Sequence, residues 1–299
     1  MRRSTKHHHN KRRTLNSVLL LTPALILVVT FYLVPMVLLV VMSFFNWPLL
    51  GQIRPNGFTN YERAFSDPRF ADSVIFTFGY TLALVPISLF VSYVAAVLIR
   101  GNRRGSGFFR TSFFLPVAIG FTAAAYMASV LLTPGTGVIN GIFRMLGLSD
   151  GNTAWFTNTT TAFWAVVAIT VWKNMGVAMI LLMAGMQSID TDIYEAAAID
   201  GAGWLRREWS LTLPLLRNSI ALCLVLALSG TLLTFDQFYV LTKGGPAGST
   251  ITAVMFAYSE SFMRYKLGYG AAISVLITLL ILVIVAFQLG FLLKRRDRT

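Results

Sequence analysis

Six stretches of this 299-residue chain are apolar over the length that a helix needs to cross hydrocarbon. They are residues 16–44, 71–99, 109–132, 160–186, 219–241 and 269–293. About 20 helical residues span the ~30 Å core of a bilayer. Lipid offers no partner to an unpaired backbone N–H or C=O, so only helices or a closed barrel can cross it. The runs are continuous and lack the alternation of barrel strands, which selects helices. The expected fold is therefore an all-α integral membrane protein with six transmembrane helices. Composition agrees: 56% of residues are hydrophobic and only 12% charged, with mean hydropathy +0.67. Soluble domains carry about a quarter charged residues. A soluble enzyme, a disordered chain and a disulfide-built secreted domain are excluded. The single cysteine, Cys223, has no internal disulfide partner, and one thiol makes no metal site. Its apolar surroundings predict a small packed hydrophobe.

The start resembles a signal peptide, with Arg2, Arg3, Lys6, Lys11, Arg12 and Arg13 ahead of an apolar run. That run is about twice the length of a signal h-region, and no small-x-small cleavage site closes it. A retained first helix is expected.

The chain carries 25 Lys and Arg against 12 Asp and Glu, a formal charge of +13. The basic residues are unevenly shared. One set of ends and loops holds the six above with Arg100, Arg103, Arg104, Arg110, Arg206, Arg207, Arg217, Lys294, Arg295, Arg296 and Arg298, which is 17. The opposite loops hold seven: Arg54, Arg63, Arg69, Arg144, Lys243, Arg264 and Lys266. Cytoplasmic loops carry the excess, so both termini of a multi-pass membrane protein are expected in the cytoplasm. The basic balance thus records orientation. No basic domain lies outside the spans to hold nucleic acid. The outer loops are 45–70, 133–159 and 242–268, and the inner ones 100–108 and 187–218. Residues 1–15 and 294–299 form basic tails.

The loop 187–218 reads QSIDTDIYEAAAIDGAGWLRREWSLTLPLLRN. Asp192 followed by Glu195 predicts an N-cap with its reciprocal carboxylate. Tyr194 to Ile199 is then a short helix, and Gly201 and Gly203 permit a sharp turn. Residues 204–213 form a second helix, and Pro214 falls where the next membrane helix begins, a first-turn position that tolerates Pro. By composition alone this is equally a partner-docking projection or a folded loop without a partner.

Glu195-Ala196-Ala197, Gly201, Leu211, Leu213 and Pro214 stand at the spacing of the EAA motif. The chain resembles the inner-membrane permeases of binding-protein-dependent ABC importers, type I, with a MetI-like core. Leu211 stands where Ile is commoner. YEAAAIDGA, LTLPLL, the segment Phe235 to Thr242 with Gly244-Gly245-Pro246, and Phe58-Thr59-Asn60-Tyr61 are similar to the carbohydrate-uptake branch, MalF/UgpA-like. The resemblance implies a first helix at 16–44, an outer loop at 45–70, and a five-helix ABC type-1 core at 71–293. A coupling-helix loop lies between helices 4 and 5. It also implies a second permease subunit (MalG/UgpE-like) as heterodimer, two ABC ATPase subunits, an extracytoplasmic sugar-binding protein and surrounding membrane lipid. ATP and Mg would sit on the ATPases. Glu195, Ala196, Ala197, Asp200, Gly201, Leu213 and Pro214 are then the ATPase-coupling residues. The chain has no G-x-x-x-x-G-K-[ST] loop, and Lys243-Gly244-Gly245 has the wrong order, so nucleotide, metal and catalysis are not expected on it. His7-His8-His9 reads as part of a basic tail, and the tripeptide Asn158-Thr159-Thr160 has the form of a glycosylation acceptor.

Charges inside spans usually face a cavity or the bundle interior. Lys173 falls near the middle of the fourth span and Asp236 in the outer third of the fifth. Sugars need carboxylates and amides for hydroxyls and aromatic faces for rings. Asp236, Gln237, Tyr239, Trp172, Lys173 and Asn174 are the candidates for the solute path. Equally, Lys173 and Asp236 pair to hold helices together. Met175, Met179, Met183 and Met186 form a stripe read as adaptable packing. Pro35, Pro86 and Pro116 are expected to kink their helices. The leading function is sugar import. The alternatives are another solute of the same superfamily, such as glycerol phosphate, and an ion-coupled transporter, whose usual internal repeats are missing.

Overall fold

The computed structural model describes residues 21–101 and 105–296. The expectations for the basic tails at 1–15 and 297–299, for His7 to His9, for Arg103 and Arg104, and for the first residues of the 16–44 span fall outside them. The described chain is mostly helical and divides into two compact units.

The first unit comprises the chain up to Ser66 together with residues 257–276. Its first helix, α1 (Leu21–Ser43), is apolar on every side, and none of its most apolar window is buried by protein. Only hydrocarbon suits such a surface. A π-turn at Val29–Leu33 precedes Pro35. It widens the helix where the ring would meet the carbonyl four residues back. A short hairpin follows, β1 (Phe45–Asn46) antiparallel to β2 (Arg54–Pro55), and then α2 (Thr59–Ser66). The Phe58-Thr59-Asn60-Tyr61 segment closes the end of α1. The buried Asn60 Nδ2 donates to the Ser43 and Phe45 carbonyls, each at 2.9 Å, and the Tyr61 hydroxyl lies 2.6 Å from Ser43 Oγ. The Arg63 guanidinium sits 4.3 Å from the Tyr269 ring centre, and the buried Glu260 pairs with Arg264 at 2.9 Å.

The second unit comprises residues 67–256 and those from 277 onward. The helix α3 (Pro68–Ile99) starts at Asp67, whose side chain accepts from Arg69 N–H, and runs through Pro86 without a break. It packs along α7 (Thr159–Gln187). The Tyr80 hydroxyl donates to Thr170 Oγ1 at 2.9 Å, and Ser92 Oγ donates to the Met175 carbonyl at 3.0 Å. Met175, Met179, Met183 and Met186 are all buried along this seam, as packing residues. Cys223 is buried beside them as a packed thiol.

Two expected spans are bent. The 109–132 run is not one helix but α4 (Ser106–Ala118) and α5 (Phe121–Leu131), turned by 103°. Pro116 tightens the end of α4 into a 3₁₀ turn, and the extended Ile119 and Gly120 then break the helix. A short α6 (Val138–Met145) precedes α7. The 219–241 run is also divided. The helix α10 (Arg217–Leu232) ends before the candidate residues, which lie on a separate α11 (Asp236–Leu241). The carbonyl freed at the break is satisfied: Thr252 Oγ1 donates to Thr234 O at 2.8 Å. The helix α12 (Leu267–Arg296) closes the described chain.

Close approach of backbones makes α7 sensitive to size. A Cβ on Gly176 would overlap the Phe113 carbonyl and lie 2.8 Å from Phe114 Cα. At Gly79, on α3, it would meet nothing. Gly176→Ala is therefore expected to cost about 1–3 kcal/mol. Gly79→Ala is expected to be neutral or to stabilise by up to about 1 kcal/mol. Thermal unfolding of the purified protein in detergent checks both.

Candidate functional site

The loop after α7 folds as two helices joined by a tight turn. The first, α8 (Thr191–Ile199), is capped by Asp190, whose side chain accepts from Asp192 N–H at 3.2 Å. The cap is thus Asp190 and not Asp192, and no capping box with Glu195 forms. Asp192 instead occupies the first turn, where a carboxylate complements the helix dipole. Gly201 adopts φ +75 just past the end. Its N–H reaches the Ala198 carbonyl at 3.1 Å, and Ala202 N–H reaches the Ala197 carbonyl at 2.9 Å. This paired closure by a left-handed residue is why glycine is needed there. Glu195, Ala196, Asp200 and Gly201 are exposed, and Ala197 is half-buried.

The second helix, α9 (Trp204–Leu215), runs further than expected and contains Pro214 within it. Leu213 is half-buried and Pro214 exposed. A π-turn at Glu208–Thr212 loosens the helix just ahead of the ring. The bend of 69° falls at Leu216, and α10 begins at Arg217. Pro214 therefore does not start the membrane helix. Ile199, Trp204, Leu205 and Trp209 stand at 56–87% exposure around the turn.

Sequence reasoning missed a buried cluster at the base of this loop. Glu208 is 3% exposed and pairs with Arg100, the residue that ends α3. The Tyr93 hydroxyl donates to the same carboxylate at 2.9 Å. The Arg100 guanidinium lies 5.7 Å from the Tyr194 ring centre, and the Tyr194 hydroxyl is 3.1 Å from Thr212 Oγ1. Glu208 sits in Arg-Arg-Glu-Trp, which reads as a solvated charge run.

A cavity of about 330 Å³ lies between α3, α7, α10 and α11. Asn174, Asp236 and Gln237 line it, with Ser88, Thr170, Thr231 and Thr234 and the rings of Phe121 and Phe235. Asp236 is its one ionisable carboxylate. Gln237 is buried and donates to Thr234 Oγ1. The other candidates stand elsewhere. Trp172 lines a separate apolar hollow with Trp155 and Trp164. Tyr239 stacks on Phe235 at 5.0 Å and does not line the cavity. Lys173 is buried, with its ammonium 4.2 Å from the Phe121 ring centre. No ion pair joins it to Asp236 among the described residues, so a cation–π contact replaces the expected pairing. Ser88 and Thr170 gave no sequence signal, because a lone hydroxyl in an apolar span reveals nothing of the face it occupies.

The turn after α8 yields a direct expectation. Gly201→Ala forces an L-residue into the left-handed region at about 1–2 kcal/mol. Gly203, at φ −62, lies in a region open to all residues. Amide hydrogen exchange over 191–202 should quicken in Gly201→Ala and stay unchanged in Gly203→Ala.

The family described as "Binding-protein-dependent transport system inner membrane component" matches residues 63–298. The chain is 34% identical to the sulfoquinovosyl glycerol transport system permease SmoG of Agrobacterium fabrum, over 85% of this chain and 83% of that one. It is 33% identical to the trehalose/maltose transport system permease MalF of Thermococcus litoralis, over 81% of each. In fold it is similar to a subunit of a bacterial ABC transporter that imports the acidic polysaccharide alginate. The TM-score is 0.81 at 23% identity, covering 94% of this chain and 96% of that one. The chain belongs to the binding-protein-dependent transport system inner-membrane component family, and is a membrane transport component rather than an enzyme.

Proposed function

We propose that this chain is one of two permease subunits of an ATP-driven importer, and that it passes a sugar (an oligosaccharide, disaccharide or related glycoside or polyol) into the cytoplasm by alternating access. In this reading six helices cross the membrane, counting each bent pair as one span, with both termini in the cytoplasm. The partners are a second, related permease, two ATPase subunits that carry ATP and Mg, and an extracytoplasmic sugar-binding protein.

The observation that carries the coupling role is the exposure of α8 and its turn. Glu195, Ala196, Asp200 and Gly201 are accessible and are ringed by uncovered Ile199, Trp204 and Leu205. Large apolar side chains grouped at the surface beside a rigid short helix suit a protein partner. Ala196 and Ala197 allow a close approach, and the fixed turn at Gly201 makes the helix a lever. Leu213 and Pro214 lie in α9, three and two residues before the bend at Leu216. A push on α8 would be delivered there.

The solute reading rests on the cavity chemistry. Hydroxyls, two amides and one carboxylate beside two phenyl rings fit a polyhydroxyl solute. Curated relatives named for sulfoquinovosyl glycerol, trehalose/maltose and multiple sugars support the same class. A phosphate ester is the second reading. It is favoured by the buried Lys173 ammonium on Phe121 beside the cavity, and by 30% identity to the sn-glycerol-3-phosphate permease UgpA of Agrobacterium fabrum.

Two tests follow in the assembled importer. Glu195→Lys and Gly201→Asp should leave the chain inserted while abolishing uptake; normal uptake by either refutes the coupling role. Asp236→Asn and Asp236→Ala should weaken apparent affinity for the solute roughly tenfold, about the worth of one charge-assisted hydrogen bond. Unchanged affinity and solute-stimulated ATPase in both would remove Asp236 from the path.

A further inference from the structure

The cluster around Glu208 connects three elements that the coupling reading requires to move together. Glu208 is on the π-turn of α9, Arg100 and Tyr93 are on the last turns of α3, and Tyr194 is on α8. Each pair of elements is joined. Arg100 and Tyr93 bind the Glu208 carboxylate, linking α3 to α9. The Tyr194 hydroxyl meets the fully buried Thr212, linking α8 to α9. The Arg100 guanidinium rests on the Tyr194 ring, linking α3 to α8. The links close a ring.

An ion pair whose carboxylate is buried is a poor device for stability alone, because desolvation offsets most of its attraction and apolar residues of similar size would hold the elements as well. Its best-attested use is to fix one register among several. Glu208 is almost wholly buried, while the other four acidic residues of this loop, Asp190, Asp192, Glu195 and Asp200, are exposed. Each of the two oxygens of its carboxylate has a partner, so any slip of α9 along α3 leaves a charge stranded.

We propose that Arg100 and Glu208, closed by Tyr93, Tyr194 and Thr212, form a strut that makes α8, the foot of α9 and the end of α3 move as one body. They are positioning residues for transport, and the proposal rests on the coupling reading given above. With the strut broken, ATPase motion is absorbed at the loop instead of reaching α3 and α10. ATP is then hydrolysed with little solute moved.

The test is the number of solute molecules imported per ATP by the purified, reconstituted importer. Arg100→Gln strands a buried carboxylate and lowers the yield of assembled complex. Glu208→Gln and the double variant Arg100→Gln/Glu208→Gln strand no buried charge and should assemble. A purely structural pair predicts that the double variant recovers yield and solute per ATP together. The strut predicts recovered yield with solute per ATP still down roughly tenfold, within the usual range of coupling between sites. A wild-type ratio in Glu208→Gln or in the double variant overturns the proposal. If neither assembles, Tyr194→Phe decides it by the same ratio. That variant removes one hydroxyl and no charge, and a normal ratio there also overturns the strut. If wild-type uptake needs neither ATP nor a binding protein, the coupling reading fails instead.

Discussion

Hydrocarbon leaves no partner for an exposed peptide group, and the organisation of this chain depends on that constraint. Helices unbroken in lipid need nothing further, as α1, α3 and α7 illustrate. Where a helix breaks, its freed groups must be satisfied by protein. The break between α10 and α11 meets this demand: Thr252 donates to the Thr234 carbonyl, and Gln237 donates to the Thr234 hydroxyl. Thr234 and Gln237 then line a cavity. Polar chemistry in a membrane protein gathers where backbone has been released from a helix, so breaks and binding surfaces coincide. The bend between α4 and α5 has the same outcome, since Phe121, the first residue after it, walls the cavity and carries Lys173 on its ring.

Much of this was legible in the sequence. Apolar run length located the four unbroken apolar helices to within a few residues at their described ends, because hydrophobic thickness is a coarse and strict measure. The same criterion is blind to bends. Nothing in apolarity distinguishes Phe121 as a helix start, and Pro116 and Gly120 act together only through the geometry between them. Pro86 shows the converse, since α3 passes through it unbroken while Pro35 is preceded by a π-turn. A proline reports a missing donor, and packing decides how the helix answers.

The candidate site divides along the same line. Asn174, Asp236 and Gln237 line one cavity. Tyr239 and Trp172 do not line it. Aromatic character alone does not say which face a ring occupies. Ser88 and Thr170 escaped notice because a hydroxyl is cheap to bury once it bonds its own helix backbone, as Thr170 does to Val166. Glu208 escaped for the opposite reason: a glutamate among arginines reads as surface until Arg100, more than a hundred residues earlier, is found against it.

In the proposed function, solute passes through this chain only when an ATPase moves the exposed helix α8. The most direct measurement is solute uptake by proteoliposomes holding the complete importer, with ATP and binding protein each withheld in turn. Uptake is expected with both present and none when either is missing, whatever ion gradient is imposed. Uptake that follows a proton or sodium gradient without ATP would contradict it.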